Sequence, residues 1–487
     1  MTEQHTTPDR RWWVLATVAI AQLMVVLDGT IVNIALPSAQ ADLGFSDAGR
    51  PWIITGYALT FGGFLLLGGR LGDRFGARRT FVVGLAGFAL ASAAGGLAPS
   101  FEVLVGARVA QGAFGALLAP AALSALSTTF AGTRDRGTAF GVYGAVAGGG
   151  GAIGLVLGGA LSAGLSWRWC LYVNIIFAAV AIVGAMLVLP RSAGDSENPA
   201  RIDWPGITTV VLGLFALVLG FSRAETNGWA DPGTLGLLGG AVALLVAFVV
   251  IEARSAAPLV PPAIVLDRTR GTTYLVMILA AAGMYSVYLF LAYYLQQVQG
   301  MSPLMAGIAF LPMALSTAVA SALANSPALQ RLGLRTIVPA GAALATVGMV
   351  MLTRIDVDTS YLTHVLPALV LAGLGLGTLF SASMGSATVG VAPQNSGVAA
   401  AVVNTSQQVG GSLGIAVFST LSAAAAAGSG SVAGPLEAAV AGFHAAYWGA
   451  AAAVALAGII ALRYPRRSAE PATGSVPEPG EAHVQSS

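Results

Sequence analysis

Apolar residues fall along this chain in long unbroken stretches rather than in alternation. Fourteen stretches stand out, at 12–36, 51–69, 80–98, 103–127, 137–164, 168–190, 205–221, 233–251, 271–297, 303–324, 334–353, 362–386, 395–424 and 439–462. Each approaches the ~20 residues that a helix needs to cross the hydrocarbon core of a bilayer. Continuous runs predict helices, because barrel strands would alternate apolar and polar positions. The run at 205–221 is the shortest. After Tyr464 the pattern stops, and the Pro-, Glu-, Gly- and Ser-rich residues 465–487 predict a disordered tail.

Charge placement orients these spans. If the N-terminus is cytoplasmic, Arg50, Arg168, Arg223 and Arg354 fall outside, Arg108 falls within a span, and every other arginine falls inside. The asymmetry predicts an even number of spans with both termini cytoplasmic.

Composition narrows the class. Hydrophobic residues make up 56% and charged residues 9%, whereas a soluble domain carries about 25% charged residues. Such a chain must use lipid as part of its solvent. Its 63 glycines suit close helix packing in a membrane. The net charge of +2 gives no footprint for a nucleic-acid partner. A single cysteine, Cys170, excludes an intrachain disulfide and a multi-cysteine metal site. The first apolar run is too long for a cleavable signal peptide.

An internal echo divides the chain. Arg74-Phe75-Gly76-Ala77-Arg78 returns as Arg331-Leu332-Gly333-Leu334-Arg335, and Gly137, Gly150, Gly151 and Gly154 return as Gly397, Gly410, Gly411 and Gly414 at nearly the same offset. This predicts a bundle at 1–190 and its copy at 266–464, joined by a linker at 191–265 with two inserted helices facing lipid. The architecture is then all-α, with 14 transmembrane helices arranged as 6+2+6 in two pseudo-symmetric bundles around a central cavity.

Charges inside spans are costly and are functional candidates. Asp28 lies in the first span and Arg108 in the fourth. By helical rise, Asp28 stands about 24 Å beyond Trp12 and Arg108 about 10 Å from Phe101, so both reach the outer half of the bilayer. They could simply pair, or Arg108 could hold Asp28 ionised while desolvation favours its protonated form, making a proton switch. Other polar residues within spans are cavity candidates: Gln22, Asn33, Gln111, Asn404 and Gln408, with Tyr285 and Tyr288 as an aromatic wall. Asn404 and Gln408 share a helix face and could line a cavity or join helices. Tyr293, Tyr294 and the Trp167-Arg168-Trp169 segment suit the outer interfacial belt.

Several of these segments resemble one family. Gly69-Arg70-Leu71-Gly72-Asp73-Arg74-Phe75-Gly76-Ala77-Arg78-Arg79 resembles the signature loop of the major facilitator superfamily. The resemblance implies a cytoplasmic gate built on Gly69, Asp73, Arg74, Gly76 and Arg78, with Asp73 and Arg74 locking it in the outward-open state. The second copy has Gln330 where the first has Asp73, so the acidic lock occurs once. Leu27-Asp28-Gly29-Thr30-Ile31-Val32-Asn33 and Arg108-Val109-Ala110-Gln111-Gly112 resemble segments of the fourteen-helix drug:proton antiporters of the EmrB/QacA type. In that family the second segment is linked to proton transfer. Gly150, Gly154, Gly158 and Gly159 resemble its antiporter signature, although Leu155 stands at the proline position, and Gly-based helix packing alone also explains them.

The resemblance implies proton-driven efflux of small amphipathic compounds across a bacterial inner membrane by alternating access. Proton-coupled transport of a specific metabolite or natural product, including uptake, is the alternative. The expected partners are the small-molecule substrate and the lipid bilayer, with a monomeric chain and no cofactor besides the proton. Enzyme readings find no support. His5, His364, His444 and His483 lie in tails or near outer loops without ligand spacing, and the chain has no phosphate-binding loop.

Overall fold

The computed structural model describes residues 8–130, 133, 135–190, 203–255, 267–324, 326, 329, 331–388, 396–428 and 434–465, and for a few of these, Asp73 among them, the backbone only. The expected tail, from residue 466 onward, lies outside the described residues, as do residues 191–202 and 256–265 of the linker and Gln330.

The described residues form helices and no strand. They are α1 (Pro8–Leu43), α2 (Arg50–Phe75), α3 (Ala77–Gly96), α4 (Phe101–Thr129), α5 (Arg136–Gly164), α6 (Trp169–Val188), α7 (Trp204–Asn227), α8 (Pro232–Arg254), α9 (Arg268–Tyr293), α10 (Pro303–Ala309), α11 (Leu311–Ala324), α12 (Leu334–Leu352), α13 (Leu366–Thr388), α14 (Ser396–Gly428) and α15 (Pro435–Ala461). Among the described residues, 12 helical segments are long and apolar enough to cross a membrane. α2 and α5 are further long helices outside that set.

Local chemistry starts and stops these rods. Asp203, Asp231 and Asp267 cap α7, α8 and α9 by accepting from the backbone N–H groups of Gly206, Thr234 and Arg270, which satisfies donors that a helix start leaves open. α2 ends at Gly76, whose φ of 90° opens a tight turn into α3, and Gly333 makes the same kind of turn before α12 at φ 76°. Both belong to the echoed loop, and a residue with a Cβ would be strained there. The apolar run at 303–324 is broken at Phe310 into α10 and α11. α9 ends in a π-helical turn, Tyr294–Val298.

Packing follows glycine. In a bilayer, helices associate by close van der Waals fit because lipid tails are as apolar as the side chains. α5 lies on α1 with Gly150 against Leu23 and Gly154 against Leu27, and α14 lies on α9 with Gly410 against Ile278 and Gly414 against Ala282. The two echoed glycine sets thus make equivalent contacts. α1 to α6 pack into one group; in a second, α9 packs on α14 and α15, α12 on α13 and α15, and α11 on α13.

The inserted pair departs from expectation. α8 turns Leu235, Val242, Val246 and Val249 outward, each more than half exposed. α7 is instead packed on protein, over the seam between α2 and α14. Ile207 and Val211 pack with Leu67, and Leu214 and Val218 pack with Leu59 and Ala416. α7 is longer than the run at 205–221 because the polar Arg223–Asn227 turn continues the helix past its apolar part.

Candidate functional site

α1, α4 and α6 meet around Asp28. Its carboxylate is fully buried, and Arg108 is 1% exposed. Arg108 Nη1 donates to Asp28 Oδ2 at 2.5 Å and to Gln111 Oε1 at 2.9 Å. Gln111 Nε2 donates to Asp28 Oδ1 at 3.0 Å and to Ser92 Oγ at 2.7 Å. Asn174 Nδ2, from α6, donates to Asp28 Oδ1 at 2.7 Å. Arg108 is fixed from behind as well: its Nε donates to the Ile53 carbonyl at 3.1 Å, and its guanidinium lies 4.4 Å from the Tyr57 ring centroid. The arrangement follows from helix geometry. Arg108 and Gln111 are three apart and share a face of α4, which turns both toward α1.

An ionised carboxylate is stable this deep only with charge and hydrogen bonds around it. Arg108, Gln111 and Asn174 supply that charge and those hydrogen bonds here. A small void of about 10 Å³, lined in part by Val32, Ala39, Arg108 and Trp167, lies beside Arg108.

The face away from the termini is closed across the two helix groups. Arg50 of α2 lies 3.8 Å from the ring centroid of Tyr293 of α9. Tyr293 Oη donates to Gln40 Oε1 at 2.9 Å, and Gln296 Nε2 donates to the Ile34 carbonyl at 3.1 Å. Gly159 of α5 packs on Pro303 and Leu304, and Gly307 of α10 packs on the Leu155 carbonyl. Midway down, Thr405 Oγ1 donates to the Gly62 carbonyl at 2.9 Å. At the face that carries both termini, a cavity of about 780 Å³ opens beside α9 and α14, lined by Arg268, Tyr274, Ile278, Ser406 and Arg463 among others.

The expected cavity residues separate into groups. Tyr285 Oη donates to Gln408 Oε1 at 3.0 Å, linking α9 to α14. Tyr288 packs on Phe310 with centroids 5.7 Å apart. Gln22 accepts from Tyr143 Oη at 2.6 Å. Asn404 is partly buried on α14, one turn before Gln408. Gln111 and Asn33, expected on a cavity wall, stand elsewhere. Gln111 is part of the Asp28 cage, and Asn33 is 1% exposed with Nδ2 donating to the Gly29 carbonyl of its own helix.

The expected interfacial belt is corrected too. Tyr293, Tyr294 and Trp167 are buried. Tyr294 Oη donates to the Asp356 carbonyl, and Trp167 Nε1 donates to Asp42, which also pairs with Arg168. Their polar tips found protein partners instead of headgroups. Trp169 remains exposed. In the signature loop, Gly69 and Gly76 are helical and turn residues respectively, Arg74 is exposed, and Arg78 Nη2 donates to the Met186 carbonyl at 2.5 Å. The side chain of Asp73 lies outside the described residues. Of the packing glycines, Gly150, Gly154 and Gly158 meet α1, and Gly159 meets α10. Sequence reasoning missed Asn174 as a member of the cage. Its signals were an amide within an apolar span and the resemblance of the segment from Trp167 to Asn174 to one of the family's, which pointed to membership and not to this role.

Known proteins match this chain along most of its length. The model of the Major Facilitator Superfamily matches residues 18–415. A puromycin resistance protein of Streptomyces alboniger is 51% identical over 423 residues, covering 86% of this chain and 84% of that protein. A cephamycin export protein of Amycolatopsis lactamdurans is 38% identical over 419 residues, covering 85% and 86%. Among solved structures, a peptide transporter in complex with sulfate superimposes with a TM-score of 0.65 at 16% identity, covering 95% of each chain. A bacterial homologue of the human lysosomal transporter Spinster gives 0.63 at 18% identity, covering 94% and 97%. Helical architecture, family model and relatives agree, and the chain belongs to the major facilitator superfamily of multi-pass membrane transporters.

Proposed function

We propose that this protein exports small amphipathic antibiotics across the bacterial inner membrane in exchange for protons, with Asp28 carrying the proton. The observation that carries the reading is the fully buried Asp28 carboxylate, held by Arg108, Gln111 and Asn174. Relatives named for resistance to or export of puromycin, cephamycin, tetracenomycin C and lincomycin support the substrate class.

In this reading α2 and α5 also cross the membrane. The chain then has fourteen spans as 6+2+6, with both termini cytoplasmic, bundles at 1–190 and 266–464, and α7–α8 inserted between them. The equivalent glycine contacts of α5 on α1 and α14 on α9 support the two bundles. With that orientation the structure is inward-facing: Arg50, Tyr293, Gly159 and Pro303 close the outer side, and the cavity near Arg268 and Arg463 opens to the cytoplasm. Substrate enters there and rests against Tyr285, Tyr288, Asn404 and Gln408. In the outward-open state, after substrate has left, a proton from outside neutralises Asp28 and weakens its grip on Arg108. The loosened contact between α1 and α4 permits the bundles to rock back to the inward-facing state, where the proton leaves to the cytoplasm. The loop at Gly69–Arg78 serves as the cytoplasmic gate in the opposite state. The chain works as a monomer with the proton as its coupling ion and catalyses no chemical reaction.

The test is proton exchange in inverted membrane vesicles with an inside-acid gradient. Puromycin, a cephamycin, tetracenomycin C and lincomycin are added in turn, with wild type compared to Asp28→Asn. Discharge of the gradient by at least one compound in wild type, and by none in the mutant, is the expected result. A compound that discharges both equally removes Asp28 from the mechanism.

A further inference from the structure

The donors around Asp28 set a constraint on how it can be protonated. Asp28 Oδ2 faces the Arg108 guanidinium, which never gives up its protons, and Asp28 Oδ1 faces two amide N–H₂ groups, from Gln111 and Asn174. Every neighbour is a donor, which suits a carboxylate and leaves a carboxylic acid without an acceptor for its proton. One amide must therefore turn over when the acid forms. Gln111 is fixed in its present sense: its Oε1 accepts from Arg108 Nη1 at 2.9 Å and its Nε2 donates to Ser92. Inversion would aim its N–H₂ at the guanidinium. Asn174 carries no such constraint. It is fully buried, and its Oδ1 has no hydrogen-bond partner, an arrangement that costs free energy in a packed interior.

We infer that Asn174 is the proton-positioning residue of the Asp28 site, inverting its amide when Asp28 is protonated. The proton adds to Asp28 Oδ1, and the resulting O–H donates to Asn174 Oδ1, while Arg108 keeps its bond to Oδ2. Loss of the proton reverses the inversion and restores Nδ2 as donor. One amide atom of Asn174 is unpartnered in either state, so neither charge state is held irreversibly. Arg108 of α4, Tyr57 of α2 and Cys170 of α6 are the other charged or titratable groups that act on this site. Tyr57 lies on the guanidinium and Cys170 is turned toward the Gly158 carbonyl. The inference rests on Asp28 being the proton carrier.

The experiment uses the full-length protein in proteoliposomes with whichever relative-derived antibiotic the wild type transports. It compares gradient-driven efflux with gradient-free counterflow for wild type, Asp28→Asn, Asn174→Leu and Asn174→Ser. Asn174→Leu removes donor and acceptor at similar volume. It is expected to lower gradient-driven efflux by about tenfold or more, the scale of one bond to a charged group, while counterflow stays within about twofold. Asn174→Ser, which can both donate and accept, recovers part of the efflux. Equal loss of efflux and counterflow in Asn174→Leu would mean a structural role and overturns the inference. So does wild-type efflux in Asn174→Leu when Asp28→Asn has lost it. Wild-type efflux in Asp28→Asn instead defeats the reading of Asp28 itself. A second measurement needs no Asn174 variant to fold: the acid-minus-neutral infrared difference spectrum of wild type with isotope-labelled asparagine carbonyls. A protonated-carboxyl band that disappears in Asp28→Asn, accompanied by a shifted asparagine band, supports the inversion, and the carboxyl band without that shift overturns it.

Discussion

The Arg50 guanidinium lies over the ring of Tyr293, 3.8 Å from its centroid, so that a cation of α2 and an aromatic of α9 close one face of the molecule. Tyr293 is 1% exposed and also donates to Gln40 of α1. A contact of this kind is worth about 0.5–2 kcal/mol. Tyr293→Ala is expected to shift the conformational balance toward opening of that face by about 2- to 30-fold. Distance distributions between spin labels at Ser46 and Ser302 report the shift, and an unchanged distribution would show that other contacts hold the closure.

Gly159 is a second control point. A Cβ there would stand 2.5 Å from the Pro303 carbonyl oxygen and 2.7 Å from Leu304 Cα. Backbone on both sides leaves nothing to move aside, so Gly159→Leu cannot close this face without separating α5 from α10. The expected outcome is loss of transport, with the labels above held apart. Gly106→Leu, where a Cβ meets nothing within 4 Å, serves as the control and keeps near-normal transport.

Asp28 and Arg108 predict a non-additive stability pattern. Removing one partner leaves a buried charge alone, at a cost of about 3–5 kcal/mol. Asp28→Leu and Arg108→Met should each lower the melting temperature in detergent substantially. The double variant should recover much of the loss while remaining unable to discharge a proton gradient. Additive destabilisation in the double variant would show that the pair is not energetically coupled.

Asp231 predicts an acid sensitivity at the α7–α8 turn. Arg223, together with the backbone N–H of Thr234, holds its carboxyl below the ordinary 3.8. A lowered folded-state value means the carboxylate stabilises the turn at pH above the ordinary value, and this is lost as pH falls through the folded value. Amide protection at 228–236, as the ratio of intrinsic to observed exchange rate at each pH, should therefore be high near neutrality and fall only below about pH 4. In Asp231→Asn the protection should be lower near neutrality and change little between the two conditions.

Much of the architecture was legible in the residues. A spanning helix satisfies its own backbone, so apolar length alone marks it, and Gly76 and Gly333 marked their turns because no other residue takes that φ without strain. The pairing of Asp28 with Arg108 was legible as well, since a buried charge needs a counter-charge and helical rise puts both at one depth. The run at 303–324 read as one helix although it is broken at Phe310. A break between apolar residues leaves no mark in hydropathy.

What the sequence determined by itself was the all-helical, multi-span character of the chain and the need for a partner to Asp28, which follow from local composition and the cost of charge in lipid. Only the tertiary structure decided which faces meet. It placed α7 over the seam of α2 and α14, turned Tyr293, Tyr294 and Trp167 away from the lipid interface to protein partners, and brought Asn174 to Asp28. These outcomes depend on neighbours from distant parts of the chain. An amide or an aromatic ring has the same character in lipid, at the interface or in a cage until packing supplies its hydrogen-bond partner.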